Sequence, residues 1–278
     1  MKKFIIHIVL MVFVAVVLIG GGWALASVDG QKAVVHFSFD DVSLCLNNIK
    51  TKNYDSIFDE PFLNELKRLN EEYDACFSLY AFKDALSNQP AQYAREWQEC
   101  SSWLKIGLHG DSGDNYEGKG YSDGYNDWNK FVEDIYKMTG SYNSIDRVVR
   151  LHNFAGNEEV IRGMKEAKCG ARGFLCADDE ERDSYFLTQQ EKKQIRKQAH
   201  IRKKDLLFVS TDMRCEGNIE EGFYNKLDNF FCKNKKKTFT IFTHEWQIYD
   251  GVELNKNKSW VEDSCKYFKG KNINFSFL

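Results

Sequence analysis

The stretch "VVHFSFDDVSL", residues 34–44, decides how the chain is read. It opens with β-branched and aromatic residues, which favour a strand. It closes on two adjacent carboxylates, Asp40 and Asp41. Negative charge at the end of a buried run is costly unless something compensates it, and a metal ion is one such partner.

Outward from this stretch, short apolar runs alternate with amphipathic ones. Strands are expected at 33–39, 75–82, 104–109, 171–177, 205–211 and 238–246, with another inside 144–154. Helices are expected at 58–73, 91–103, 130–140, 157–170 and 221–234 from their apolar spacing. The alternation implies a parallel α/β sheet or barrel. The segment 110–128, rich in Gly, Asp and Tyr, reads as a loop. Its Tyr116, Tyr121, Tyr125 and Trp128 are candidates for stacking on sugar rings or for packing the loop itself. The basic stretch 191–205 reads as a solvated helix face.

The 278 residues carry 43% hydrophobic residues, enough for a sizeable core and against a disordered chain. The net charge of −3 gives no global field for nucleic acid. Two lysines precede an uncharged run from Phe4 to Ala26. This segment, residues 1–26, reads as an N-terminal hydrophobic helix, either a cleaved signal peptide or a membrane anchor through residues 4–26. Lys2 and Lys3 favour the cytoplasmic side, so residues 27–278 form an exported domain, secreted or membrane-anchored. Eight cysteines then permit disulfides, with no pairing assigned, and buried free thiols are the competing reading.

Polar residues collect at the ends of the expected strands: Asp40 and Asp41, His109, Arg150 and His152, Asp178 and Asp179, His244 and Glu245. In a parallel barrel these ends share one face, where active sites lie. Asp with His suits a zinc-type ion. A second carboxylate can serve as base, a further histidine as acid, and an arginine can hold the base ionised.

These residues resemble the polysaccharide deacetylases, the NodB-homology or family 4 carbohydrate esterases. "FSFDDV" (37–42), "KIGLHGDS" (105–112), "VVRLHNF" (148–154) and "TIFTHEW" (240–246) resemble the family's successive motifs, over roughly residues 33–250. The resemblance implies a distorted (β/α) barrel that removes N- or O-acetyl groups from an envelope or extracellular sugar, an acetylated glycan or a lipid-linked one. It implies Asp40 as catalytic base, His244 as acid and Arg150 as the residue that orients Asp40. It implies a divalent metal, zinc with cobalt or nickel as alternatives, held by Asp41 and His109. The family's second motif normally offers a second histidine after His109, and here there is none. Asp111 or Asp114 could replace it, or His152 or His244 could reach across from another strand. A non-catalytic glycan-binding protein on a degenerate deacetylase fold is the alternative function, and another metal hydrolase such as a phosphoesterase is the third.

Overall fold

In the computed structural model, β1 spans Val34–Val42 and therefore runs through both carboxylates instead of stopping at them. The structure describes residues 33–112, 116–179, 181–182, 184–215, 224–225, 227–228, 238–249 and 254–278. The expected N-terminal helix at 1–26 and most of the helix expected at 221–234 lie outside the described residues. Among the described residues, no helix is long and apolar enough to cross a membrane.

Side chains alternate along β1, as the period of a strand requires. Phe37 and Phe39 stack at 5.4 Å. Phe39 meets Phe62 edge-on at 5.0 Å, against the helix Pro61–Tyr73. Each of these buried rings contributes about 1.5–3 kcal/mol by leaving water. The alternate residues His36, Ser38 and Asp40 are buried as well and reach polar partners. His36 Nε2 shares a hydrogen bond with the Tyr80 hydroxyl at 3.0 Å. Ser38 accepts from Arg150 at 3.0 Å. One face of β1 thus joins an apolar layer under the helices, and the other a polar column.

The remaining strands are β2 (Phe77–Phe82), β3 (Leu104–Gly110), β4 (Val148–Val149), β5 (Gly173–Leu175), β6 (His200–Lys203), β7 (Leu206–Val209), β8 (Met213–Arg214), β9 (Thr238–His244) and β10 (Asn274–Phe275). One sheet has the order β3-β2-β1-β9-β8, with β10 against the start of β1, and the other has the order β4-β5-β7-β6. Every pairing is parallel except the β6–β7 hairpin. A single bridge, Ile106 to Ile145, links the end of one sheet to the entry of the other. The Asp212 amide donates to Thr240 at 2.9 Å between β7 and β9. This ring, weak at two seams, is the distorted (β/α) barrel expected from the motifs.

Several boundaries differ from the sequence reading, each for a local reason. The helix Tyr121–Thr139 begins inside the expected 110–128 loop. Its glycine is a packing device: a Cβ on Gly124 would stand 2.0 Å from the Val160 carbonyl oxygen, and one on Gly163 would stand 2.2 Å from that of Tyr121. This helix and the helix Glu158–Glu166 touch through glycine, and Gly124 by composition alone mimics a loop. Residues 91–103 break into short turns around the helix Ala94–Glu99. The strand expected within 144–154 is short, Val148–Val149. The basic stretch holds the helix Gln189–Gln198 and then β6. The helix Leu254–Gly270 and β10 were not anticipated. All seven described cysteines are free thiols.

Candidate active site

The strand ends open into a pocket of about 260 Å³ whose walls include Asp40, Asp41, His109, Arg150, His152 and His244. Each of them is a site residue expected from the sequence. Asp114 lies outside the described residues.

Asp40 and Asp41 could not both face one pocket from a regular strand, because neighbours point to opposite sides. The register supplies the answer. Against β9, β1 keeps step from Val34–Thr238 to Asp40–His244. Against β2 it slips by one residue between Phe39–Leu79 and Val42–Ala81. Asp41 sits in that slip with a left-handed backbone, φ 56°. Extra residues of this kind re-aim a side chain, and aspartate tolerates the left-handed region better than most residues. The same device recurs on β3, where the register slips between Ala81–Leu108 and Phe82–Gly110, so that His109 is the extra residue. Gly110 follows with φ 102°, and a Cβ there would strike the Tyr116 ring at 2.6 Å.

Asp40 is buried and takes a hydrogen bond from Arg150 Nη1 at 2.9 Å. Arg150 is 1% exposed. Its other terminal nitrogen donates to Thr211 Oγ1 at 2.9 Å, and its guanidinium lies 4.1 Å from the centre of the Phe242 ring. A guanidinium fixed in this way keeps the neighbouring carboxylate aimed.

His109 Nδ1 donates to the Arg150 carbonyl at 2.5 Å, which leaves Nε2 as an acceptor on the neutral ring. That Nε2 faces Asp41 Oδ1, a second acceptor, at 3.1 Å. Two lone pairs aimed at each other call for a cation between them or a proton on the ring. Burial works against the charged form of Asp41, but with a proton on His109 the hydrogen bond to it and the nearby histidines outweigh burial and lower the Asp41 pKa to about 2. His152 enters from the turn after β4, its ring centre 5.5 Å from that of His109. Its Nδ1 is buried with no hydrogen-bond partner. Burial, then the neighbouring His109, lowers the His152 pKa and favours the neutral ring that ligates. His244 Nε2 stands 3.8 Å from Asp41 Oδ2, and Arg214 Nη2 approaches its Nδ1 at 3.4 Å.

Among the described residues, no group of three His, Cys, Asp or Glu side chains is arranged to hold a metal ion as it stands. The donors nevertheless fit one. Ligands of a tetrahedral zinc ion with bonds of about 2.0–2.2 Å lie about 3.3 Å apart. The facing Asp41 and His109 acceptors are at a similar separation, 3.1 Å. The Nδ1 hydrogen bond of His109 is the outer contact that orients a ligating histidine. His152 Nδ1 is buried without a hydrogen-bond partner, on a ring centred 5.5 Å from that of His109.

Other expected site residues have different work. Glu245 accepts from the amides of Ser43, Leu44 and Cys45, each at 2.7 Å, and so caps the helix Leu44–Thr51 from another strand. Asp178 and Asp179 pair with Arg182 in a turn, and Asp179 accepts from the amides of Glu181 and Arg182. Asp111 is held by Lys83 at 3.0 Å and Lys119 at 2.8 Å, which removes it from the ligand set. Tyr116 and Trp128 are buried in the core, so they are not stacking surfaces. The pocket's aromatic walls are Phe154, Phe242 and Trp246, which the sequence reading did not single out.

No family model and no curated protein matches the sequence. The fold is found in solved structures at low identity. An assigned polysaccharide deacetylase from Mycobacterium smegmatis superposes with a TM-score of 0.51 at 10% identity, over 90% of this chain and 95% of that one. The 4-alpha-glucanotransferase from Thermococcus litoralis superposes at 0.57 and 12% identity, over 88% of this chain but 39% of that one. The Xyl-CE4 domain of a multidomain xylanase from the hindgut metagenome of Trinervitermes trinervoides, 9% identical over 88% of this chain and 87% of its own, superposes more loosely at 0.48. At such identities the likeness establishes the fold, a barrel of the polysaccharide deacetylase type, and carries no residue roles. The first two neighbours differ in chemistry, so function has to come from the site.

Proposed function

We propose that this chain is a metal-dependent carbohydrate deacetylase of the NodB-homology type, hydrolysing an N- or O-acetyl group on an envelope or extracellular glycan. The observation that carries the reading is the pair of facing acceptors, Asp41 Oδ1 and His109 Nε2 at 3.1 Å, beside a second carboxylate locked on a buried arginine.

A divalent ion, zinc or else cobalt or nickel, polarises an acetyl carbonyl and acidifies water when bound. Asp41, His109 and His152 are the residues that would hold it. Asp40 takes the proton of the attacking water, with Arg150 holding its carboxylate in place. His244 neighbours Asp40 across the β1–β9 register and gives a proton to the departing amine or alkoxide. Arg214 Nη2 stands 3.4 Å from the other ring nitrogen, Nδ1. Buried Phe242 and half-exposed Trp246 flank the acetyl-binding space. The apolar run at 4–26 is consistent with export and anchoring of the domain beside such a glycan.

The test is acetate release from acetylated glucosamine and xylose oligomers by the full chain. Release that stops with chelator and returns with zinc or cobalt supports the reading. Tight binding of the same oligomers without release, metal supplied, would leave a glycan-binding protein instead.

A further inference from the structure

Trp246 begins the short helix Trp246–Tyr249 directly after β9, and 44% of its surface is exposed. A tryptophan left in water at the rim of a pocket is held by something other than burial. Its indole Nε1 donates to Asp41 Oδ2 at 3.2 Å. The ring lies 5.6 Å from that of His244, tilted by 36°. The two oxygens of Asp41 are therefore divided, Oδ1 toward His109 and Oδ2 toward Trp246.

This division matters because of where Asp41 sits. Its left-handed backbone lies in a register slip, so no regular strand direction fixes its side chain. Only 3.8 Å separates Oδ2 from His244 Nε2, and an ion pair between them would engage both groups at once. An indole N–H is a donor only, so it holds an acceptor oxygen and offers nothing to a competing donor.

We infer that Trp246 is a positioning residue: its N–H fixes the Asp41 carboxylate so that Oδ1 faces the ion site and Oδ2 is kept from His244. The inference rests on the proposed metal site and adds to it a residue outside the ligand set. Outer contacts of this kind change metal affinity by about 10–100-fold.

The test is a cobalt(II) titration of the purified full chain, followed by visible absorption and calorimetry, with thermal melts as the fold control. Two variants are compared with wild type. Trp246→Phe shortens the ring and removes the N–H. Replacing Trp246 with benzothienylalanine keeps the shape and removes only the N–H. Both should bind cobalt about tenfold more weakly or worse, with an altered visible spectrum. If the benzothienyl variant titrates as wild type does, the N–H has no such role and the inference fails, even if Trp246→Phe is impaired by lost packing. If wild type itself takes up no cobalt, the metal reading fails and this inference goes with it.

Discussion

β1 meets its two neighbours in different ways. On the β9 side the register is unbroken, and it sets Asp40 level with His244. On the β2 side it slips at Asp41, and β3 slips in turn at His109. The even flank carries the proposed base and acid, and the slipped flank carries two of the proposed ion ligands. A regular parallel ladder is a rigid frame on which proton-transferring groups keep fixed separations. Convergence of ligands on one point requires side chains to leave their strand directions, and the extra residues permit that. The proposed reaction thus draws on regularity for one part and irregularity for another.

The largest effect is expected on the even flank. Asp40→Asn should lower acetate release about a thousandfold, as loss of a general base does, while metal content stays as in wild type. If metal is lost along with activity, the two flanks are not separable. His109→Ala strikes the slipped flank and should do the reverse: elemental analysis should show the ion gone, with folding intact by circular dichroism.

Adjacent residues sharpen the contrast at the end of β9. Glu245→Ala leaves three amides without their carboxylate, since Ser43, Leu44 and Cys45 all donate to it. It should cost about 2–3 kcal/mol in urea unfolding. His244→Ala should abolish turnover with a much smaller loss of stability. Equal stability losses would contradict the assignment of one neighbour to chemistry and the other to the fold.

The smallest effect concerns the polar column below the site. Burial, then the charge of Arg150, lowers the pKa of His36 to about 3, against a backbone hydrogen bond at Ser276 that raises it. The unfolded chain then binds a proton near pH 6.5 that the folded chain refuses until about pH 3. Between these values His36 makes stability fall as pH falls. His36→Gln should flatten that part of the stability curve in denaturant titrations. An unchanged slope would mean that the ring is not held neutral.

The parts of this arrangement differ in how plainly the sequence carried them. β1, β2, β3 and β9 are long and rich in β-branched or aromatic residues, so they were readable, and with them Asp40, Asp41, His109 and His244. β8 and β10 have two residues each, too few for any periodicity to show, whereas β4 and β5, hardly longer, were expected within 144–154 and 171–177. The slips at Asp41 and His109 are pairing events between distant segments and leave no local mark. Glu245 looked like a site residue because it follows His244, yet its partners lie about two hundred positions away. Asp178 and Asp179 looked the same, and they are turn residues closed on Arg182. Gly124 signalled a loop by composition, where contact with the helix that carries Gly163 demanded it. His152, proposed as the stand-in for the absent second histidine, is brought beside His109 only by the fold.

The central claim is that the slipped flank holds a divalent ion. The direct measurement is the metal content of the purified full chain beside the Asp41→Asn, His109→Ala double variant, both supplied with zinc, cobalt or nickel. A near-stoichiometric ion in wild type that is absent from the double variant is the result predicted here. A wild type that stays empty, or a double variant that retains as much metal, would contradict it.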